Sequence, residues 1–324
     1  MNVNSRAKWK DNFIGFSKAY PILYVLIGLV IIAAFASDVF LTSGNLLNIL
    51  RQISVIGILS CGMTFVVLTG NIDLSVGATV SFTACITLTL LPYYGIGLSI
   101  LIAVAVGALI GAINGLIISY TGGRMGESFI ITFGMQTAVG AIAFIYTQGF
   151  NVSVEAGSAY SFIGQGSIGM VPVSVIIFIV VAVLCWFVLN KTVYGRKVYS
   201  IGENEEATKL TGINTKLVRM SVYIVAGVLA ALAAVVLSSR VMGSSPEAGK
   251  GYELDAIAAI VVGGTSLTGG QGGIGRTIIG VLLMGVLANL LNILNITAYP
   301  QMMVKGAIII IAVLIDLMRK RNAR

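Results

Sequence analysis

The stretch GGQGGIGRT, Gly269 to Thr277, comes close to a phosphate-binding loop. Gly270 is followed by four residues, Gly275, and then Arg276 and Thr277 where the pattern has Lys and Ser/Thr. Such a loop cradles phosphate with backbone N–H groups, which requires a buried β-strand before it and a soluble helix after it. Here the chain continues as TIIGVLLMGVLANLLNIL, a stretch suited to lipid. Nucleotide hydrolysis also needs acidic groups that hold Mg²⁺ and orient water, and no apolar run ending in Asp or Glu sits in a soluble domain. The stretch therefore reads as a tight Gly-rich turn on the cytoplasmic face, where glycines permit positive φ and close helix approach. No ATP or other cofactor is expected on this chain. With no histidine, the usual Cys/His metal sets are impossible.

Acidic residues beside apolar segments raise the next question, because an ionisable group near a bilayer is expensive. Asp73, in GNIDLSVG, precedes Ser75 and could cap the helix that follows, with Gly70 making the turn; the other reading is a role in a pathway or gate. Glu253 and Asp255 precede AIAAIVVGG and could cap that short helix from the far side. They could instead line a translocation path, since broken helices in transporters mark where a solute passes. Asn114, Gln136, Asn289 and Asn292 interrupt apolar segments and would bond either solute hydroxyls or neighbouring helices. No nucleophile is paired with a base and no metal carboxylates cluster, so an enzyme is not expected. Gly107, Gly111 and Gly115 recur every four residues, a stripe for close helix packing.

The elements that must position these residues are membrane helices. Hydrophobic residues make up 57% of the chain and charged residues 10%, against about 25% charged in a soluble domain. Apolar segments run from Pro21 to Phe40, Leu46 to Thr69, Ser75 to Leu91, Gly95 to Tyr120, Ser128 to Thr147 and Pro172 to Leu189. Leu217 to Ser238, the short Leu254 to Gly263, Thr277 to Ile296 and Met303 to Leu317 follow. The fold class is thus an all-α integral membrane protein, a polytopic bundle of about ten transmembrane helices with one short or broken near 254–264. The first segment lacks a small-residue cleavage pattern and reads as a retained span. Cys61, Cys85 and Cys185 all lie in apolar segments, so disulfides are not expected.

Charge sets the orientation. Of the 20 basic residues, four precede Pro21, six lie between Lys191 and Arg219, and four follow Leu317, where cytoplasmic segments belong under the positive-inside rule. Six crossings from a cytoplasmic N-terminus bring the chain back inside at the basic loop, so both termini are expected in the cytoplasm. That balance explains the net charge of +8 without nucleic acid. The resulting organisation is a cytoplasmic segment 1–20, one membrane domain 21–318 with a cytoplasmic loop 190–216, and a tail 319–324. Gln148 to Val171, rich in Gly and Ser, is either a flexible surface loop or a face for an external partner.

The most charged interior stretch is YGRKVYSIGENEEATKLTGINTK, Tyr194 to Lys216. Its centre reads as a helix of about eight residues. Asn204 caps it, Glu205 and Glu206 sit near the positive end, Lys209 near the negative end, and Gly212 stops it. Glu205 and Lys209 stand in the favourable order four apart. Ala207, Leu210 and Thr211 share a face. So short a helix must be held by its flanks and docks into something, or else it is a solvated connector.

GENEEATKLTGIN resembles the cytoplasmic coupling segment of ATP-binding-cassette importer permeases: Glu-Ala-Ala, three residues, Gly, matched here by Glu206, Ala207, Thr208 and Gly212, with Thr for the second Ala. GNIDLSVGA, GYELDAIAAIVVGGTSLTGGQGGIGRTIIG and QMMVKGAIIIIAVLID extend the resemblance over nearly the whole chain, to sugar-importer permeases of the ribose type. The resemblance implies a bacterial inner-membrane location and two permease chains, here a homodimer, embedded in lipid and forming the pore. It also implies an ATPase subunit that consumes ATP and Mg²⁺, and an external sugar-binding protein. Coupling would then run through Glu203, Glu205, Glu206, Ala207, Lys209, Leu210 and Gly212. The alternative is an ion-coupled secondary transporter of a small polar solute, for which an acidic or His relay deep in the membrane is wanting.

Overall fold

Apolar side chains dominate the chain, and the computed structural model resolves them into helices; it describes residues 22–123, 125–155 and 158–322. In chain order these are α1 (Ile22–Ala36), α2 (Ser43–Leu68), α3 (Val76–Thr121), α4 (Met125–Thr147), α5 (Ser161–Gly164), α6 (Val173–Lys191), α7 (Val193–Glu203), α8 (Glu205–Leu210), α9 (Thr215–Val241), α10 (Tyr252–Val262), α11 (Ile274–Ile293) and α12 (Ala298–Asn322). The described residues also form four two-residue strands: β1 (Val152–Ser153) pairs antiparallel with β4 (Gly243–Ser244), and β2 (Ser167–Ile168) with β3 (Val171–Pro172). The expected segment 1–20 lies outside the described residues, as do 323 and 324. The backbone of α12 stays helical past 318 to Asn322.

Among the described residues six helices, α2, α3, α4, α6, α9 and α11, are long and apolar enough to cross a membrane, and α1 and residues 298–314 are shorter apolar helices. Their outer faces carry exposed Ile, Leu, Val and Phe while α2 and α9 are mostly buried, the inverse of a soluble bundle. The chain is an all-α, multi-pass membrane protein. At about 1.5 Å per residue, α3 is some 70 Å long, twice a hydrocarbon layer of about 30 Å. It doubles back at Gly95, whose φ of 71° and ψ of 176° break the helix just beyond Pro92. Asn114 Nδ2 consequently reaches Ser75 Oγ at 2.8 Å, as two antiparallel arms require.

The Gly107, Gly111 and Gly115 stripe packs on α9. A Cβ on Gly107 would overlap the Gly227 carbonyl, one on Gly111 the Tyr223 carbonyl, and one on Gly115 would come within 2.7 Å of the Met220 backbone. Close approach of this kind buries both backbones with no cavity between them.

Two ends of the bundle are now defined. At one lie the basic loop, the end of α2 and the Gly-rich turn: Gly270 N donates to Leu68 O (2.9 Å) and Ser119 Oγ to Lys216 O (3.0 Å). At the far end residues 160–165, within the stretch 148–171, pack onto α9. Tyr160 Oη reaches Val235 O (3.0 Å) and Ser238 Oγ (2.7 Å), Gly164 N donates to Ser239 Oγ (2.8 Å), and Gln165 Nε2 donates to Arg240 O (2.9 Å). These donors satisfy carbonyls and hydroxyls in the last turns of α9, where the end of a helix leaves acceptors open.

Between the ends runs the interrupted crossing. From β4 the chain descends beside α3, where Gly249 N donates to Ser81 Oγ (2.8 Å), and turns helical at Tyr252. The 11 residues of α10 rise only about 16 Å. Its C-terminus meets the basic end at Gly264, whose carbonyl accepts from Arg276 Nη1 at 2.9 Å. The short element expected near 254–264 is a half-helix.

Candidate functional site: a docking loop, a turn and a half-helix

The basic loop contains two helices where one was expected. Thr192 opens α7 by accepting from Gly195 N (3.2 Å), and Tyr194, Val198 and Ile201, spaced four and three apart, face the core. That spacing is the signal from which α7 was readable. Asn204 caps α8, its Oδ1 accepting from Ala207 N at 2.9 Å; Gly212 ends it with φ of 81°; and Lys209 meets Glu205 at 2.8 Å. The helix has six residues, not about eight.

What holds so short a helix is Glu205. One carboxylate oxygen bonds Arg219 Nη2, and the other accepts from Thr215 Oγ1 at 3.2 Å. Arg219 is 1% exposed, and Gly123 clears space for it: a Cβ there would overlap the guanidinium. Arg219 was counted with the charges that set orientation, but its charge is spent inside the protein. Burial works to raise the Glu205 carboxyl, yet the bonds and charges of Arg219 and Lys209 outweigh it and hold the group below the usual carboxylate range.

With its base fixed, α8 turns the other side chains outward. Glu203, Glu206, Ala207, Lys209, Leu210, Thr211 and Gly212 are exposed and Thr208 is buried. Leu210 is 90% exposed, an apolar side chain standing clear of the protein.

The Gly-rich turn lies directly under α7. Gly269, Gly270, Gly272 and Gly273 take φ of 84°, 73°, 133° and 146°, so the glycines serve backbone shape, as expected. A Cβ on Gly202 would overlap Leu68 O and the Gly270 nitrogen, and Tyr199 Oη donates to Gly272 O at 3.1 Å. Burial pushes the Tyr199 phenol up, against the opposing charge of Arg276. Thr277, at the hydroxyl position of the phosphate-loop pattern, is buried and bonds Thr64 Oγ1 at 2.8 Å. Beyond the turn, α11 starts at Ile274, and Gly280 lets it touch the Ala259 carbonyl of α10.

The interior polar residues fall into separate groups. Asp73 is buried and accepts from Ser75 N (2.9 Å) and Ser75 Oγ (2.6 Å). It closes the turn before α3 and does not cap the helix itself, because Ser75 stands between them. Glu253 accepts from Gln136 Nε2 (2.9 Å) and from the Gly251 N–H, reaching back to the residue that opens α10. Asp255 pairs with Lys305 of α12 at 2.8 Å. Neither carboxylate stands at the N-cap of α10, which is Gly251; both lie within its first turn. Asn289 exchanges two bonds with Asn45 (2.8 and 3.0 Å), Asn114 bonds Ser75, and Asn292 accepts from Gln301 (2.8 Å). For these asparagines, bonds between segments are the observed use. The anchoring role of Arg219 and the pairing of Lys305 were not readable from the sequence, because nothing local marks a contact made across helices.

Comparison with known proteins bears on this arrangement of outward-facing loop and half-helix. A family model described as "Branched-chain amino acid transport system / permease component" matches residues 45–313. The chain belongs to this family of permeases. It is 43% identical over 310 residues to a ribose import permease of Bacillus subtilis (strain 168), with 94% of each chain covered. A ribose import permease of Escherichia coli (strain K12) is 41% identical over 312 residues, covering 93% of this chain and 95% of that one. A D-allose transport system permease from the same strain is 35% identical over 324 residues, 97% of each. No solved structure matches the permease.

Proposed function

We propose that this permease forms, as a homodimer in the bacterial inner membrane, the pathway of an ATP-powered importer for a small sugar. An external binding protein delivers the sugar, and a separate ATPase subunit, using ATP and Mg²⁺, docks on α8. The observation that carries the reading is α8 itself: anchored through Glu205 to a buried arginine, it offers Leu210, Ala207 and the charges of Glu203, Glu206 and Lys209 to a partner.

In this reading 21–318 is one membrane domain with its coupling loop at 190–216, and 1–20 and 319–324 are cytoplasmic. The bundle makes about ten crossings, with the two arms of α3 as two and the 245–262 segment as one. Lipid covers the exposed apolar faces. Of the candidate path residues, Glu253 and Asp255 on the half-helix carry most interest; Asp73, Asn114, Gln136, Asn289 and Asn292 act by holding helices around it. A sugar is favoured over an amino acid because the relatives similar along nearly their whole length are named for ribose and allose.

The test is reconstitution of the permease with its ATPase and binding protein in liposomes, with labelled D-ribose, D-allose and D-fructose. ATP-dependent uptake of one of these, abolished when the ATPase is left out, is expected. Uptake driven by an ion gradient without the ATPase would establish the secondary transporter instead.

A further inference from the structure

Two carboxylates stand two residues apart at the start of α10 and point in opposite directions. Glu253 is satisfied within the fold by Gln136 and Gly251, and it fills the space that a side chain on Gly77 would need. Asp255 instead faces α12, where Oδ2 meets Lys305 Nζ at 2.8 Å. The pair borders a cavity of about 90 Å³ whose other walls are Gln52, Ile56, Tyr252, Met284 and Ala288. That is room for several waters or for the hydroxyl edge of a sugar ring.

Measured along their helices, Lys305 and Gln52 lie about 10 to 14 Å from the helix starts at Ala298 and Ser43, and Asp255 is buried. An ion pair there gives up hydration, and as a mere clamp between α10 and α12 an apolar contact of equal size would serve at least as well. The chemistry present suits a polyol. A carboxylate beside an ammonium offers an acceptor and a donor to two neighbouring hydroxyls, and the tyrosine adds a ring face for the C–H side of the same molecule. Among the described residues, neither the Gln52 amide nor the Tyr252 hydroxyl makes a hydrogen bond, so both retain bonding capacity beside the cavity.

We propose that this cavity is a sugar subsite inside the permease, in which Asp255 and Lys305 part to take two adjacent hydroxyls, Tyr252 receives the ring face and Gln52 a third hydroxyl. The inference rests on the sugar reading above and adds where within the chain the sugar pauses.

The test uses the complete transporter carrying Ala288→Cys, a small change in the cavity wall, during ATP turnover. Labelling of that cysteine by a small water-soluble methanethiosulfonate is measured without sugar and with D-ribose, D-allose or D-fructose at millimolar concentration. The transported sugar is expected to slow labelling at least fivefold, and the slowing is expected to vanish in Asp255→Asn/Lys305→Gln, with sugar uptake down at least tenfold. A cysteine that no reagent reaches, or labelling unchanged by a sugar that the same liposomes import, would overturn the subsite and leave the importer standing. If none of the three sugars is imported, the sugar reading falls and the subsite with it.

Discussion

Two loops meet at the basic end of the bundle and use their residues in opposite ways. The Gly-rich turn, 263–273, has its glycines pressed against α7, α11 and the end of α2, so close that Cβ atoms at Gly263 and Gly270 would collide with neighbours. The segment 204–212 keeps one glycine at its end and turns side chains outward, Leu210 almost fully. The first is a joint between parts of one chain. The second, in the function proposed, is a surface for another. The loop whose sequence looked like a nucleotide site is thus the internal one, and the outward one is the loop whose sequence resembles a coupling segment.

The sharpest way to break this contrast is to put volume into the joint. Gly202→Val, which drives a side chain into Leu68 O and the Gly270 nitrogen, is expected to abolish folded protein, read as loss of the monodisperse peak in detergent. Gly212→Ala, which meets open space and only the strain of a side chain at φ of 81°, about 1 kcal/mol, is expected to leave that peak in place.

A smaller effect separates the anchored side of α8 from its outward side. Glu205→Ala leaves the buried Arg219 guanidinium without its carboxylate and is expected to cost about 2 kcal/mol, less than a fully buried pair because Glu205 is partly open to water. Glu206→Ala is expected to stay within about 0.5 kcal/mol. Thermal midpoints of the two variants check this, and equal midpoints would erase the distinction.

The smallest effect is acid sensitivity. Because folding depresses the Glu205 carboxyl, its contribution is fully present above its ordinary value of 4.5 and is lost as pH falls below it through the folded value. The midpoint should be insensitive to this group near neutrality and decline below about pH 4.5, with the decline shallower in Glu205→Gln.

How much of this was legible follows the range of the interactions. The Asn204 cap, the Gly212 stop and the Glu205–Lys209 pair are local, within four residues of their partners, and were readable. The two arms of α3 and the half-helix were readable from hydropathy and the Gly and acidic residues at their borders. The partner of the Gly107 stripe, the Arg219 anchor and the Asp255–Lys305 pair were not, because helical periodicity gives a face and no address for the face opposite it. Asp73 was expected as the cap but stands two residues before Ser75, the N-cap residue of α3, since an aspartate at either place has the same local sequence signature.

Leu210 offers the most direct measurement. It is 90% exposed, so Leu210→Asp should fold with an unchanged thermal midpoint. If α8 is where the ATPase docks, that variant, purified gently with the ATPase co-expressed, should lose the subunit that accompanies the unaltered permease. An ATPase that remains bound in the same proportion would contradict docking at α8.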